Sequence, residues 1–203
     1  AVEQFDSPTQ NFVYGDRDGN TLYQMVGRIP IRRTDGEVVR GDQIFDGSAR
    51  EGEWEGFEPF GASSWDGFVP VSEHPHVENP DYVATANQRT TNDPPFYIAR
   101  STRYADGYRG ERIYERLDER AASGEPMNRS FHTDLQGDTY SKAAEAFLPH
   151  LTASREEMTP EQRAAVDDLE GWDRRMDADS EAALVFRLWL DAYRNATWGP
   201  QFR

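Results

Sequence analysis

The spacing of apolar residues changes period close to residue 105, and that change confines the chain to an α+β plan with strands first and helices after. Before residue 105, short apolar runs are interrupted by turn residues. "NFVYGDRDGNTLYQMVG" (11–27) has two such runs around Asp18-Gly19-Asn20, and "IPIRRTDGEVVRG" (29–41) repeats the arrangement around Asp35-Gly36. Both read as antiparallel hairpins, because Asp-Gly and Gly-Asn supply the left-handed backbone that tight hairpin turns require. The stretch 46–70 is rich in glycine and aromatic residues, and Trp54-Glu55-Gly56-Phe57 is echoed by Trp65-Asp66-Gly67-Phe68. Two copies are fewer than a stacking array needs. The expectation is a long loop whose aromatics pack over a core, with an inserted copy of a local unit as the alternative.

After residue 105 the period is helical. "DGYRGERIYERLDERAAS" (106–123) puts Ile113, Tyr114 and Leu117 at helical spacing, with Glu and Arg interleaved for pairs one turn apart. "TDLQGDTYSKAAEAFLPHL" (133–151) reads as a helix ending near Pro149. In "TPEQRAAVDDLEGW" (159–172), Thr159 is the expected N-cap, Pro160 the first helical residue and Gln162 the partner in a capping box. Ser180 is the expected N-cap of a last helix with Ala183, Phe186, Trp189 or Leu190, and Tyr193 along one stripe, closing near Gly199-Pro200. The predicted organisation is a β-rich portion over 1–105, holding the aromatic loop 46–70, and a helical portion over 106–203.

The 203 residues suffice for a real core, with 11 Phe, 9 Tyr and 5 Trp. Cysteine is absent, which excludes disulfides, thiol nucleophiles and thiolate metal sites. No apolar stretch approaches the roughly 20 residues that span a bilayer, and AVEQFDSPTQ has neither the basic start nor the apolar run of a signal peptide. Asp and Glu number 37 against 22 Lys and Arg, for a net charge of −15, and the only lysine is Lys142. A field of that sign disfavours nucleic acid as a partner. Acidic surfaces almost free of lysine also resemble those of proteins adapted to concentrated salt.

Motifs with intrinsic chemistry are few. No phosphate loop or dinucleotide fingerprint occurs. His74-Pro75-His76 has metal-pair spacing but lacks a third ligand, so two surface histidines are expected. "GDRDGN" and "DADS" hold carboxylates without the spacing of a calcium loop and read as turns or caps. The sequons at Asn128 and Asn195 fall in or beside helices. In "NPDYVATANQR" (79–89), Tyr82, Val83 and Ala84 favour a short strand that ends by presenting Asn87. Asparagine there either begins a turn or aims its amide into a site, and local composition leaves both readings open.

Six segments in order carry a family resemblance: "QNFVYGDRDGNTLYQMVGRIPIR" (10–32), "WDGFVP" with "HPHVENP" (65–80), "YVATANQR" (82–89), "GYRGERI" (107–113), "DLQGDTYSKAAEAFLPHL" (134–151) and "GWDRRMDADSEAALVFRLW" (171–189). Together they resemble an interior portion of the large chain of the penicillin acylases, which are N-terminal nucleophile amide hydrolases with an αββα fold. The resemblance implies that Asn87 helps form an oxyanion hole and that Arg109 lies near it, orienting the amide or neutralising carboxylates. Arg112 is expected to serve helix packing or surface pairing. It also implies a small-molecule amide as substrate, a location outside the cell or at its surface, and no cofactor. Calcium is allowed in the complete enzyme, but no ligand is assigned here.

Two features depart from the family pattern. The chain begins with Ala1, where a nucleophilic serine would open the mature large chain, and Asn79-Pro80 runs directly into Asp81-Tyr82, so the turn before Asn87 differs. The nucleophile, the rest of the acyl pocket and the small chain are therefore expected outside these residues, as partners, and the 203-residue stretch is not expected to be active alone. The alternative is a non-catalytic acidic module on the same fold that binds a ligand or partner through loop 54–70.

Overall fold

A computed structural model describes residues 2–39, 44–91 and 104–199. It divides into two compact units, Ala1–Gly107 and Tyr108–Arg203. The order of strands first and helices after is the one the sequence predicts.

In the first unit, β1 (Gln10–Gly15) and β2 (Thr21–Val26) form the first hairpin, in register from Gln10 opposite Val26 to Gly15 opposite Thr21. Its loop is organised by Asp16, whose carboxylate accepts from the N–H groups of Asp18 and Asn20, both at 2.9 Å, and from the Asn20 amide at 2.8 Å. Those bonds engage the lone pairs that a calcium loop would offer, so "GDRDGN" is a turn. The second predicted hairpin is β3 (Arg33–Thr34) and β4 (Glu37–Val38), joined by Asp35 at φ 53° and Gly36 at φ 81°. Two consecutive left-handed residues define the turn whose twist matches paired strands. Strand β5 (His76–Glu78) adds antiparallel to β2, giving a sheet of order β1-β2-β5.

Met25, Ile29 and Val69 form the core under this sheet, with Ile31 against them. Backbone bonds from Val69 to Ile29 and from Ile31 to Gly67, each 2.9 Å, bring the aromatic loop back to it. The two look-alike motifs pack on each other: Trp54 stacks on Trp65 at 5.0 Å between ring centres, and Phe57 meets both edge-on. The Trp65 indole N–H donates to the Ile31 carbonyl at 2.7 Å.

His74 corrects the expectation of two surface histidines. It is fully buried, with Nδ1 3.1 Å from the Met25 carbonyl and Nε2 3.3 Å from the Val69 carbonyl. Its ring ties β2 to the returning loop, and with both nitrogens facing main-chain oxygens it cannot pair with the exposed His76 around a metal.

Gly27, just beyond β2, has φ 104°, and a Cβ there would lie 2.7 Å from the Ser7 carbonyl oxygen and the Thr9 Cα. Both neighbours are backbone and cannot turn aside. Gly27→Ala should destabilise the first unit by about 2 kcal/mol or more. A denaturant midpoint equal to wild type would contradict that expectation.

The second unit contains α1 (Tyr108–Ser123), α2 (Arg129–Gln136), α3 (Lys142–Ala153), α4 (Pro160–Glu170) and α5 (Glu181–Trp198). Caps set their starts: Asn128, Ser141 and Ser180 each accept from the N–H three residues on, and Thr159 with Gln162 forms the complete capping box. As the N-cap of α2, Asn128 has its side chain engaged in structure. The helix predicted over 133–151 is two helices, broken at 137–141, where the chain pairs with 174–177 through the Tyr140–Arg175 bridge. Pro149 does not end α3, which runs on to Ala153. Leu148 and Leu151 flank the proline and are buried with Ala144, Val166, Leu169, Phe186 and Leu190, and this packing outweighs one lost helical hydrogen bond. On α5 the buried stripe is Ala183, Phe186 and Leu190, and Tyr193, 43% exposed, continues it at the rim by stacking on Trp189.

Candidate functional site

The segment that carries Asn87 begins where the chain leaves β5. Asn79, at φ 52°, donates its N–H to the Thr21 carbonyl at 2.7 Å and accepts from the Thr21 N–H at 3.2 Å through its side chain. The Thr21 hydroxyl donates to the Pro80 carbonyl at 2.8 Å. These three bonds clamp the exit of β5 to the first residue of β2. The direct junction of Asn79-Pro80 with Asp81-Tyr82, which departs from the family pattern, is thus a short turn anchored to the sheet. Sequence reasoning did not identify Thr21 and Asn79 as a pair. Only the Asn-Pro dipeptide hinted at a turn there.

Residues 82–85 are irregular, which corrects the predicted strand at Tyr82, Val83 and Ala84. β-propensity is realised only where a neighbouring strand offers peptide groups in register, and the clamp at Asn79 turns the chain off the end of β5 instead. Ala86 is buried, and its N–H donates to the Gln88 side chain. Asn87 follows in a bend at φ 62°, and its carbonyl accepts from the Ala105 N–H at 2.9 Å.

Asn87 lies in a bend, as the turn reading expects. The left-handed backbone explains why asparagine is accommodated at a bend. The residue is also exposed, its main chain fixed on one side by buried Ala86 and on the other by the bond from Ala105.

Arg109 lies in the second unit, exposed on the first turn of α1. Arg112, one turn on, is largely buried. Its Nε donates to Asp138 at 2.8 Å, its Nη1 to Glu115 at 2.6 Å, and its guanidinium lies over the Tyr140 ring at 4.6 Å. That is the packing and pairing role expected of it.

Asp138 was not singled out by sequence, yet it is the centre of this polar cluster. It also accepts from the Tyr140 N–H at 3.0 Å and from Arg175 at 3.3 Å, with its side chain only 9% exposed. Burial alone would raise its pKa, but the Tyr140 N–H and the Arg112 and Arg175 guanidiniums outweigh burial and lower it. Lys142 sits beside the cluster within 3.6 Å of Glu111, Glu115 and Glu145. Every charge in this group has an opposite partner, which marks it as a structural network.

The whole chain, residues 1–203, matches the model of the penicillin amidase family. The chain belongs to that family. Its fold is similar to that of a thermostable penicillin G acylase from Alcaligenes faecalis, with a TM-score of 0.63 at 17% sequence identity. The match covers 97% of this chain and 34% of the acylase chain, so the protein spans about a third of the length of that relative.

Proposed function

We propose that this chain is a portion of an amide hydrolase of the penicillin acylase type, supplying scaffold and the side-chain donor of the oxyanion hole. The observation that carries the reading is Asn87, an exposed residue on a left-handed bend whose main chain is fixed by Ala105 and by buried Ala86. When a nucleophile attacks an amide, negative charge collects on the carbonyl oxygen. A donor already held in position stabilises that charge without reorganising as the reaction proceeds. The N-terminal serine that attacks, with its own α-amine as base, belongs to another part of the complete enzyme. For Arg109 the support is the family resemblance alone, which gives its guanidinium the role of orienting the amide or offsetting nearby carboxylate charge. The substrate is a small-molecule amide. The test is amide turnover by the complete acylase carrying Asn87→Ala, with wild-type turnover counting against the assignment.

The acidic surface adds a property of habitat. With a net charge of −15 and a single lysine, self-repulsion opposes the compact state, and raising ionic strength from about 0.1 M to about 1 M shortens the screening length from roughly 10 Å to roughly 3 Å. Surface pairs such as Arg187–Asp191, 2.9 Å apart and exposed, weaken under the same screening but contribute little each. The thermal midpoint should therefore climb with added salt. A flat or falling curve would remove the halophilic reading.

A further inference from the structure

We infer that the outer edge of β1 receives an additional strand, supplied by the part of the acylase that lies outside this chain. The inference rests on the acylase reading above and begins from a contrast between the two edges of one sheet. Strand β5 has three residues, lies between Pro75 and Pro80, and ends in Glu78. Short length, proline and charge are the ordinary means by which a sheet edge is protected from further pairing. Strand β1 has none of them. It is six residues long, QNFVYG, without charge or proline in a chain that is 29% charged, and all six residues are exposed.

The hydrogen-bonding phase of the sheet identifies which groups are open. The Met25 N–H donates to the Pro75 carbonyl at 2.9 Å, and the Thr21 carbonyl accepts from Asn79 at 2.7 Å, so the odd-numbered residues of β2 face β5. Alternation then turns Leu22, Gln24 and Val26 toward β1, where they meet Tyr14, Phe12 and Gln10. The peptide groups of Asn11, Val13 and Gly15 point outward, away from β2.

Side chains agree with the backbone. Val13, Tyr23 and Val77 form one cross-strand row, in which Tyr23 is buried while Val13 and Val77 are 53% and 50% exposed. Phe12 and Tyr14 stand on the opposite face at 37% and 45%. Apolar residues on both faces mark a strand whose sheet has layers packed on both faces, so β1 carries none of the polar side chains that shield an exposed edge. The occupant is a strand of the same acylase, because the matched structure extends well beyond the third of its length to which this chain corresponds. It is an extended segment that adds by main-chain bonds to Asn11, Val13 and Gly15.

The test is residue-resolved amide hydrogen exchange in the complete acylase, with amide hydrolysis assayed on the same preparation. The amides of Asn11, Val13 and Gly15 should exchange at least about 100-fold more slowly than unprotected amides. Val13→Pro removes an outward N–H that β2 does not use, a position where proline is tolerated in an edge strand. It should release Asn11 and Gly15 to fast exchange while Gln10, Phe12 and Tyr14 stay protected. Val13→Lys, which keeps the N–H but places a charge in the covered row, should do the same if proline disturbs folding. Fast exchange at all three wild-type amides, or protection undiminished in both variants, overturns the inference. Protection that appears only as the concentration of the 203-residue chain rises assigns the edge to a second copy and overturns it as well. Hydrolysis with unprotected β1 amides sinks this inference alone, whereas protected amides without hydrolysis sink the functional reading alone.

Discussion

Asn87→Ala is expected to lower amide turnover by the complete acylase about 10²- to 10³-fold. The loss should fall on kcat more than on KM, because a donor aimed at the developing oxyanion acts mainly in the transition state. Alanine at φ 62° also carries backbone strain of about 1 kcal/mol, so a rate loss in that variant alone would mix chemistry with stability. Asn87→Gly separates them: glycine accepts the left-handed bend without strain, and the Ala105 N–H still finds the carbonyl of residue 87. The glycine variant should unfold near the wild-type midpoint and lose turnover to the same extent. Asn87→Asp keeps the shape and replaces the N–H donor by a negative acceptor, so it should be no better than alanine. Wild-type turnover in the alanine and glycine variants would remove Asn87 from the mechanism.

The second large effect belongs to stability. Asp138→Ala should destabilise the helical unit by about 3 kcal/mol, the typical result of removing one member of a buried ion pair. The substitution takes away the more buried of the two carboxylates on Arg112, whose side chain is only 16% exposed and keeps Glu115, and leaves the Tyr140 N–H without its acceptor. Asp138→Asn keeps an oxygen for Tyr140 but loses the charge, and should fall between alanine and wild type.

The same cluster predicts how stability varies with pH. The hydrogen bond from Arg112 lowers the Glu115 pKa, that from Lys142 lowers the Glu145 pKa, and Asp138 is lowered against the opposing effect of burial. A carboxylate whose folded pKa lies below its unfolded value contributes stability that is full above the unfolded pKa and is lost as pH falls through the folded one. The helical unit should therefore hold its midpoint near neutrality and lose it below about pH 4. Asp138→Asn should make that acid limb shallower. An unchanged acid limb in Asp138→Asn would show that the cluster does not link protonation to folding.

The elements legible in the sequence are those whose cause is local. Asp35-Gly36 specifies a tight hairpin because two left-handed residues are needed there. Thr159, Pro160 and Gln162 specify a helix start because one short segment satisfies its own free N–H groups. The period change near residue 105 separated strands from helices for the same reason, since apolar spacing reflects which face of an element will be buried.

Reading failed where a distant partner decides. Tyr82-Val83-Ala84 has strand composition, but the Thr21–Asn79 clamp, formed across 58 positions of sequence, turns it off the sheet. Pro149 looks like a helix stop, but the core around Leu148 and Leu151 carries α3 past it. His74 resembles a surface histidine until the folded chain places carbonyls of Met25 and Val69 on its two nitrogens. Asn87 divides in the same way. Its residue type and the family resemblance were present in the sequence, whereas the left-handed bend, the fixed backbone and the exposed amide exist only after Ala86 is buried and Ala105 returns to meet it. By itself the sequence determined turns, caps and the faces of helices, because those depend on neighbours within one turn. Only the tertiary structure decided which polar groups are sealed in the interior and which lie at the surface, because burial and hydrogen-bond partnership are properties of residues far apart in the chain.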